Sequence, residues 1–366
     1  MTDSKIKTLF IELNPTDDWW EPLSYIIDWK EAILSCPSLQ VEQCNIVDTD
    51  SYRKTMNHLP EFEFIIISHS ATGDSMDILL ETSSWFHSRE AKLAVFIGNE
   101  YSLMDQKIRF IQQTGAELIC SQLPLETARY LYRECEGSRI IEMPHGLNPK
   151  LYHVMDEIKK RVDICFVGDV YHPWIGDRER TEVIDYFLKH GEEKGITCDI
   201  RTRRIGRERW AKLLNASYGI IGAESGTFYL NDRGALMEKA RLYFQQHPDT
   251  DYETMFNLFF KNIQNPISGK AISSRHFEPI GTKTCQILME GNYNGILHAD
   301  KHYIAIKKDF SNMDDVIRRF KDETYRRGMV DQTFDYVMSQ HTYSRRIQKL
   351  ARAVSDTGFI QETHAI

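Results

Sequence analysis

Short apolar, β-rich runs alternate with helical patterns along almost the whole chain, and this alternation constrains the fold more than any other feature. The run Phe-Glu-Phe-Ile-Ile-Ile-Ser at 62–68 is apolar on both faces. A strand of that kind must be covered on both sides, as in a parallel sheet flanked by helices. Further strand patterns fall at 6–13, 41–47, 92–98, 116–120 and 139–143, with helical patterns at 25–34, 76–85, 105–113 and 125–134 between them. The sequence Pro144-His145-Gly146-Leu147-Asn148-Pro149 then breaks the pattern and reads as a hinge. The alternation restarts with strand patterns at 162–167, 197–201, 218–221, 295–298 and 303–306. Helical patterns accompany them at 178–190, 208–215, 233–263, 277–290, 313–325 and 335–354. A chain of 366 residues is too long for one small core and fits two domains. The expectation is an α/β protein with two doubly wound domains, 1–150 and 151–330, facing each other across a cleft. The helical pattern in 331–366 is expected to return to the first domain.

In such sheets ligands bind beyond the carboxyl ends of the strands. The loops so placed hold His69, Asn99-Glu100, Ser121-Gln122, His145, Gly168-Asp169 and Glu224-Ser225. The loop ending at Glu278 belongs to the same set. The stretch Ser273-Ser274-Arg275-His276-Phe277-Glu278-Pro279-Ile280-Gly281-Thr282-Lys283-Thr284 is the richest in chemistry. It puts cations, a carboxylate and hydroxyls at the expected start of a helix. Free N–H groups and the positive dipole end favour a phosphate there. A carboxylate beside that phosphate suits ribose hydroxyls. Arg275, His276, Glu278, Thr282, Lys283 and Thr284 are therefore candidate nucleotide-binding residues, joined by Gly168, Glu224 and Ser225 from the strand ends. Glu100 and His69 are the candidate catalytic residues, as a general base for an attacking hydroxyl.

Other classes are poorer fits. A net charge of -8 gives no global basic field for nucleic acid, although basic residues cluster at Arg201-Thr202-Arg203-Arg204 and around Arg207 and Arg209. The chain contains no G-x-x-x-x-G-K-[ST] and no G-x-G-x-x-G sequence. Seven cysteines, an odd number with no C-x-x-C pair, suggest reduced thiols and a cytoplasmic setting. No apolar run is long enough to span a bilayer. Asp48-Thr49-Asp50 and Asp249-Thr250-Asp251 both spell D-x-D. The first reads as a turn and the second as a capping box, Thr250-x-x-Glu253, so no metal ligand is assigned.

Four segments together resemble the GT-B-fold glycosyltransferases, close to the CgeB-like and group-one families. They are Ser273 to Glu278 with the helix behind it, the Pro144 to Pro149 segment, Cys165-Phe166-Val167-Gly168, and His341-Thr342-Tyr343-Ser344-Arg345-Arg346. The resemblance implies two Rossmann-like domains and a metal-independent transfer of sugar from a UDP- or GDP-linked donor to a saccharide or other hydroxyl acceptor. No cofactor is implied beyond the nucleotide-sugar substrate. Bacterial surface polysaccharide or glycoconjugate synthesis is the implied setting, with a lipid-linked acceptor as a route to peripheral membrane association. Glu278 resembles the second of the two family glutamates that stand eight positions apart, the one that holds ribose. Lys270 occupies the position of the first, a departure from the pattern. Arg275 resembles the family's basic residue near the diphosphate. A sugar-nucleotide epimerase of the same shape and a non-catalytic two-lobe binder are the alternatives.

Overall fold

The computed structural model describes residues 5–14, 23–230, 232–264 and 267–355. The first lobe is built on strands β1 (Ile6–Glu12), β2 (Leu39–Asn45), β3 (Phe64–Ile67), β4 (Lys92–Phe96), β5 (Leu118–Ser121) and β6 (Arg139–Glu142). They form one parallel sheet in the order β2-β1-β3-β4-β5-β6. All four residues of β3 are buried, which is why that run lacks a polar face. The second lobe holds β7 (Val162–Val167), β8 (Cys198–Arg201) and β9 (Ser217–Gly222). A two-stranded antiparallel ribbon follows, β10 (Ser225–Thr227) with β11 (Gly269–Ala271). Strands β12 (Cys285–Met289) and β13 (Ile304–Ile306) complete a parallel sheet ordered β13-β12-β9-β7-β8. Apolar clusters lie on both faces of each sheet, so each lobe is doubly wound.

Several expected elements differ, among them the helical pattern at 233–263, which divides into Ala235–Gln246, Tyr252–Met255 and a π-helical turn, Phe256–Phe260. The helical pattern at 277–290 divides into a helix, Ser274–Gly281, and strand β12. Every residue of β12 is buried, between β9 and β13, and a short apolar run buried on both faces carries no period that separates strand from helix. The helix ends at Gly281, where a Cβ would lie 2.1 Å from the Tyr152 carbonyl oxygen, and Lys283 then turns the chain at φ 50°. The expected strand at 295–298 is absent; a 3-10 turn, Tyr293–Gly295, precedes that stretch. The pattern at 335–354 is broken at His341-Thr342 into the helices Glu323–Gln340 and Tyr343–Ser355.

That break is where the chain crosses between lobes, later than residue 331. Leu147 N–H donates to His341 O at 2.9 Å and Tyr343 N–H donates to Leu147 O at 3.2 Å, so the two interlobe crossings pair side by side. Gly146 permits this approach, since a Cβ on it would sit 2.8 Å from Tyr343 N. Beyond the crossing, Tyr343, Ile347, Leu350, Ala351 and Val354 pack with Phe10, Trp29 and Phe64 of the first lobe. A second bridge lies between β10 and β11. Leu230 is buried in the first lobe's core, Thr127 Oγ1 donates to Ser268 O at 3.0 Å, and Arg233 pairs with Asp105 and Glu134.

Candidate functional site

A cavity of about 410 Å³ lies between the lobes and is lined from both. Its second-lobe wall follows the carboxyl ends of β7 and β9 and the first turns of two helices, Glu179–His190 and Ser274–Gly281. Each of these helices places an arginine second in its first turn, Arg180 and Arg275, and both line the cavity with Arg204. A cation there opposes the helix dipole, so its presence calls for an anion nearby. Arg180 is aimed by its neighbours: its guanidinium lies 4.1 Å from the Tyr171 ring centroid and donates to Tyr171 Oη at 3.0 Å and Ser225 Oγ at 2.9 Å. Arg204 is paired with Asp169 at 2.6 Å. Gly168 and Ser225 also line the cavity.

Glu278 lines the cavity and is only 1% exposed. One oxygen, Oε2, accepts from Trp210 Nε1 at 2.6 Å and stands 3.8 Å from Arg275 Nη1. The other, Oε1, is enclosed and has no hydrogen-bond partner among the described residues. Arg275 Nη1 likewise makes no hydrogen bond among the described residues, with its guanidinium 5.0 Å from the Trp210 ring centroid. A buried acceptor and a buried donor without hydrogen bonds leave unmet hydrogen-bonding capacity within the cavity wall.

The other residues of this segment turn away from phosphate binding. His276 is the third residue of its helix and completes a capping box: Nδ1 accepts from Ser273 N–H at 2.9 Å, while Nε2 pairs with Ala223 O at 3.1 Å. Burial pulls its pKa down to about 3, so it lines the cavity as a neutral structural group. Thr282 and Thr284 follow the helix rather than opening it. Thr282 Oγ1 donates to Pro279 O at 3.0 Å and Thr284 Oγ1 donates to Leu214 O at 2.8 Å, both buried. Lys283 pairs with Asp331 at 2.6 Å, outside the cavity lining. Glu224 accepts from Tyr293 N–H at 2.6 Å, and its carboxylate lies within 2.4 Å of where a Gly291 Cβ would be. It braces the β12–β13 connection, while its neighbours Ala223 and Ser225 reach the cavity. Lys270 is locked in a buried pair with Asp177 at 2.5 Å and faces Glu179 at 3.3 Å.

On the first-lobe side, Glu100 lines the cavity, but three hydrogen bonds from its own lobe engage it. Ser121 Oγ and Tyr132 Oη donate to Oε1, each at 2.7 Å, and Gln122 N–H donates to Oε2 at 2.8 Å. Burial raises its pKa despite these bonds. It is a brace for the β4 and β5 loops in this geometry, not a free base. His69 does not line this cavity. It stacks on Trp29 at 5.5 Å with Nε2 enclosed and unpaired, and burial lowers its pKa to about 3. Three histidines do line the cavity: His145, from the Pro144 to Pro149 segment, and His172 and His276 of the second lobe.

Part of the basic cluster is a latch. Arg207, first in the helix Arg207–Asn215, donates to Asp28 Oδ1 and to Glu31 Oε1, each at 2.9 Å, across the lobes. Asn148 of the hinge donates to Asp28 Oδ1 at 2.7 Å, and Ser24 Oγ donates to Asp28 Oδ2 at 2.7 Å. Burial outweighs these partners and raises the Asp28 pKa to about 7. The D-x-D sequences are accounted for by caps: Asp48 accepts from Ser51 N–H at 3.1 Å, and Asp251, rather than Thr250, accepts from Thr254 N–H at 2.8 Å. Among the described residues, no three His, Cys, Asp or Glu side chains are grouped to hold a metal, and no helix is long and apolar enough to cross a membrane.

The fold matches solved structures over nearly the whole chain. An α-glucosyltransferase in complex with UDP and a 13-mer DNA containing an HMU base aligns with a TM-score of 0.59 at 10% identity, covering 96% of this chain and 100% of that one. HepE of Anabaena in complex with UDP-glucose aligns at 0.53 and 10% identity, covering 96% and 99%. BGT of T4 phage in complex with its UDP-glucose substrate aligns at 0.51 and 10% identity, covering 96% and 100%. No family model and no curated protein matches the chain. The likeness establishes the two-lobed GT-B fold.

Proposed function

We propose that the protein transfers a sugar from a nucleoside-diphosphate donor to a hydroxyl acceptor. The observation that carries this reading is an interlobe cavity lined together by Arg180, Arg204, Arg275 and Glu278, with Glu278 Oε1 and Arg275 Nη1 enclosed in its wall and without hydrogen-bond partners among the described residues. A carboxylate oxygen with no partner suits a ribose hydroxyl, and the arginines suit the diphosphate. Proteins of the same fold in complexes with UDP or UDP-glucose support this choice of ligand.

Breaking the bond between the anomeric carbon and a phosphate oxygen leaves negative charge on the diphosphate. Arg180, Arg275 and the N–H groups opening the 274–281 helix are fixed in place before that charge develops. Preorganised donors of this kind lower the barrier by several kcal/mol. Arg180 is held by Tyr171 and Ser225, so it reorganises little during the step. Closure of the lobes keeps water from the reacting carbon. We assign the counter-charge to these side chains rather than to a bound cation. A hexose linked to UDP or GDP is the donor class, and a saccharide or glycoconjugate hydroxyl is the acceptor class, in surface polysaccharide synthesis.

The test is release of nucleoside diphosphate from UDP-glucose, and in parallel from GDP-mannose, with and without EDTA. The reading expects turnover of one donor, unchanged by chelation and reduced at least tenfold in Arg180→Ala. Absence of turnover with an acceptor mixture, together with no nucleotide binding, contradicts it.

A further inference from the structure

The hinge histidine has been arranged as a hydrogen-bond donor facing the cavity. Trp29 Nε1 donates to His145 Nδ1 at 3.2 Å, which makes Nδ1 an acceptor. A neutral imidazole with an accepting Nδ1 carries its proton on Nε2. Burial, with His69 and Arg346 nearby, holds His145 well below the usual histidine range, so the ring is neutral. The Nε2 atom has no hydrogen-bond partner among the described residues. The residue is only 4% exposed, and the open space it lines is the interlobe cavity.

The ring is held firmly on every other side. Arg346 Nε donates to the His145 carbonyl at 3.1 Å. The next residues, Gly146 and Leu147, are pinned against 341–343 where the chain crosses between lobes. Tyr25 packs at 4.8 Å between ring centroids. An N–H aimed into a cavity lined by cations and amides has an oxygen acceptor as its natural partner.

We infer that His145, through its Nε2–H, hydrogen-bonds an oxygen of the bound nucleotide-sugar and that Trp29 sets the tautomer that makes this possible. The inference rests on the donor reading above. His145 contacts substrate; Trp29 is a positioning residue. The oxygen belongs either to the diphosphate or to a sugar hydroxyl, and the two sources are separable by experiment.

Calorimetric titration with UDP and UDP-glucose, and with GDP and GDP-mannose as the second pair, compares the wild type with His145→Gln, His145→Asn and Trp29→Phe. Gln carries an amide N–H to about the Nε2 position, whereas the shorter Asn reaches only about as far as Nδ1. The expected result is near wild-type affinity for His145→Gln and about tenfold weaker binding for His145→Asn, the loss of one neutral hydrogen bond. If His145→Asn weakens both UDP and UDP-glucose, the oxygen is on the diphosphate; if only UDP-glucose weakens, it is on the sugar. Nitrogen-15 spectra of the wild-type imidazole should show the Nε2–H form, and Trp29→Phe should show a mixture with weaker donor binding. Equal affinity of His145→Asn and wild type, or an Nδ1–H imidazole in the wild type, overturns the inference while leaving the donor reading intact. Failure of the wild type to bind any of the four ligands overturns both.

Discussion

Replacing Glu278 separates binding from folding. The carboxylate is 1% exposed, accepts from Trp210 Nε1 through Oε2 at 2.6 Å and leaves Oε1 enclosed without a hydrogen-bond partner among the described residues. Glutamine keeps the shape and one acceptor oxygen, which Trp210 claims. Its amide then stands where a ribose hydroxyl needs a charged acceptor. Two charge-assisted bonds at roughly 1.5–3 kcal/mol each are at stake, and losing most of that value weakens a nucleoside diphosphate by about 3 kcal/mol, or ~100-fold in Kd. Alanine removes more, because Trp210 Nε1–H is left buried without an acceptor and Arg275 loses the carboxylate 3.8 Å away. That variant should lose a further ~1–3 kcal/mol of folding stability. Titration calorimetry with ribose, 2′-deoxy and 3′-deoxy nucleoside diphosphates forms a double-mutant cycle. The wild type should pay a penalty for at least one deoxy ligand, and Glu278→Gln should not. A glutamine variant with wild-type affinity, or a deoxy penalty that survives the substitution, refutes the ribose contact.

Asp28→Asn should flatten the dependence of stability on pH between about 4 and 7. The folded pKa of Asp28 is raised to about 7, above an unfolded value of about 3.9. Its contribution is therefore full below pH 4 and is lost as pH rises to 7, and an unchanged slope in chemical denaturation contradicts this. Glu100→Gln sets an amide against one of three donors, Ser121, Tyr132 or Gln122 N–H. It should cost ~1–3 kcal/mol of stability while reducing kcat/KM less than tenfold at a temperature where it is folded; a larger kinetic loss would restore Glu100 as a catalytic candidate. Gly281→Ala should destabilise by more than ~2 kcal/mol, because its methyl would meet the Tyr152 carbonyl at 2.1 Å, and a melting temperature equal to wild type would contradict the close approach.

Much of the architecture could be read from the chain because parallel strands buried on both faces leave continuous apolar runs, as at Phe64–Ile67 and Val162–Val167. The same property hid β12. Cys285–Met289 follows a helix after only three residues and has no polar alternation, so its pattern merged with the helix before it. The break at His341-Thr342 depends on pairing with Leu147, a contact far away in sequence and invisible to local periodicity. Within the site, Glu278, Arg275, Gly168 and Ser225 line the cavity, and Glu100 lines it as a brace. Thr282, Lys283 and Thr284 fall outside the site because the helix starts at Ser274, three residues before the expected 277, so they follow it instead of opening it, and Glu224 is turned away by the distant Tyr293 N–H. Arg180 and Arg207 carried a readable signal that composition alone obscured: each is an arginine in a first helical turn, where the dipole disfavours a cation. Arg180 faces the cavity, and Arg207 bonds Asp28 and Glu31 across the lobes.

The central claim is that the arginines and Glu278 on the interlobe wall hold a nucleoside diphosphate. Titration calorimetry of the full chain with UDP, GDP, ADP, CDP and TDP in EDTA tests it most directly. At least one should bind with a Kd below about 1 mM, and Arg275→Ala should weaken it at least tenfold. No binding by any of the five, or binding indifferent to Arg275, would contradict the claim.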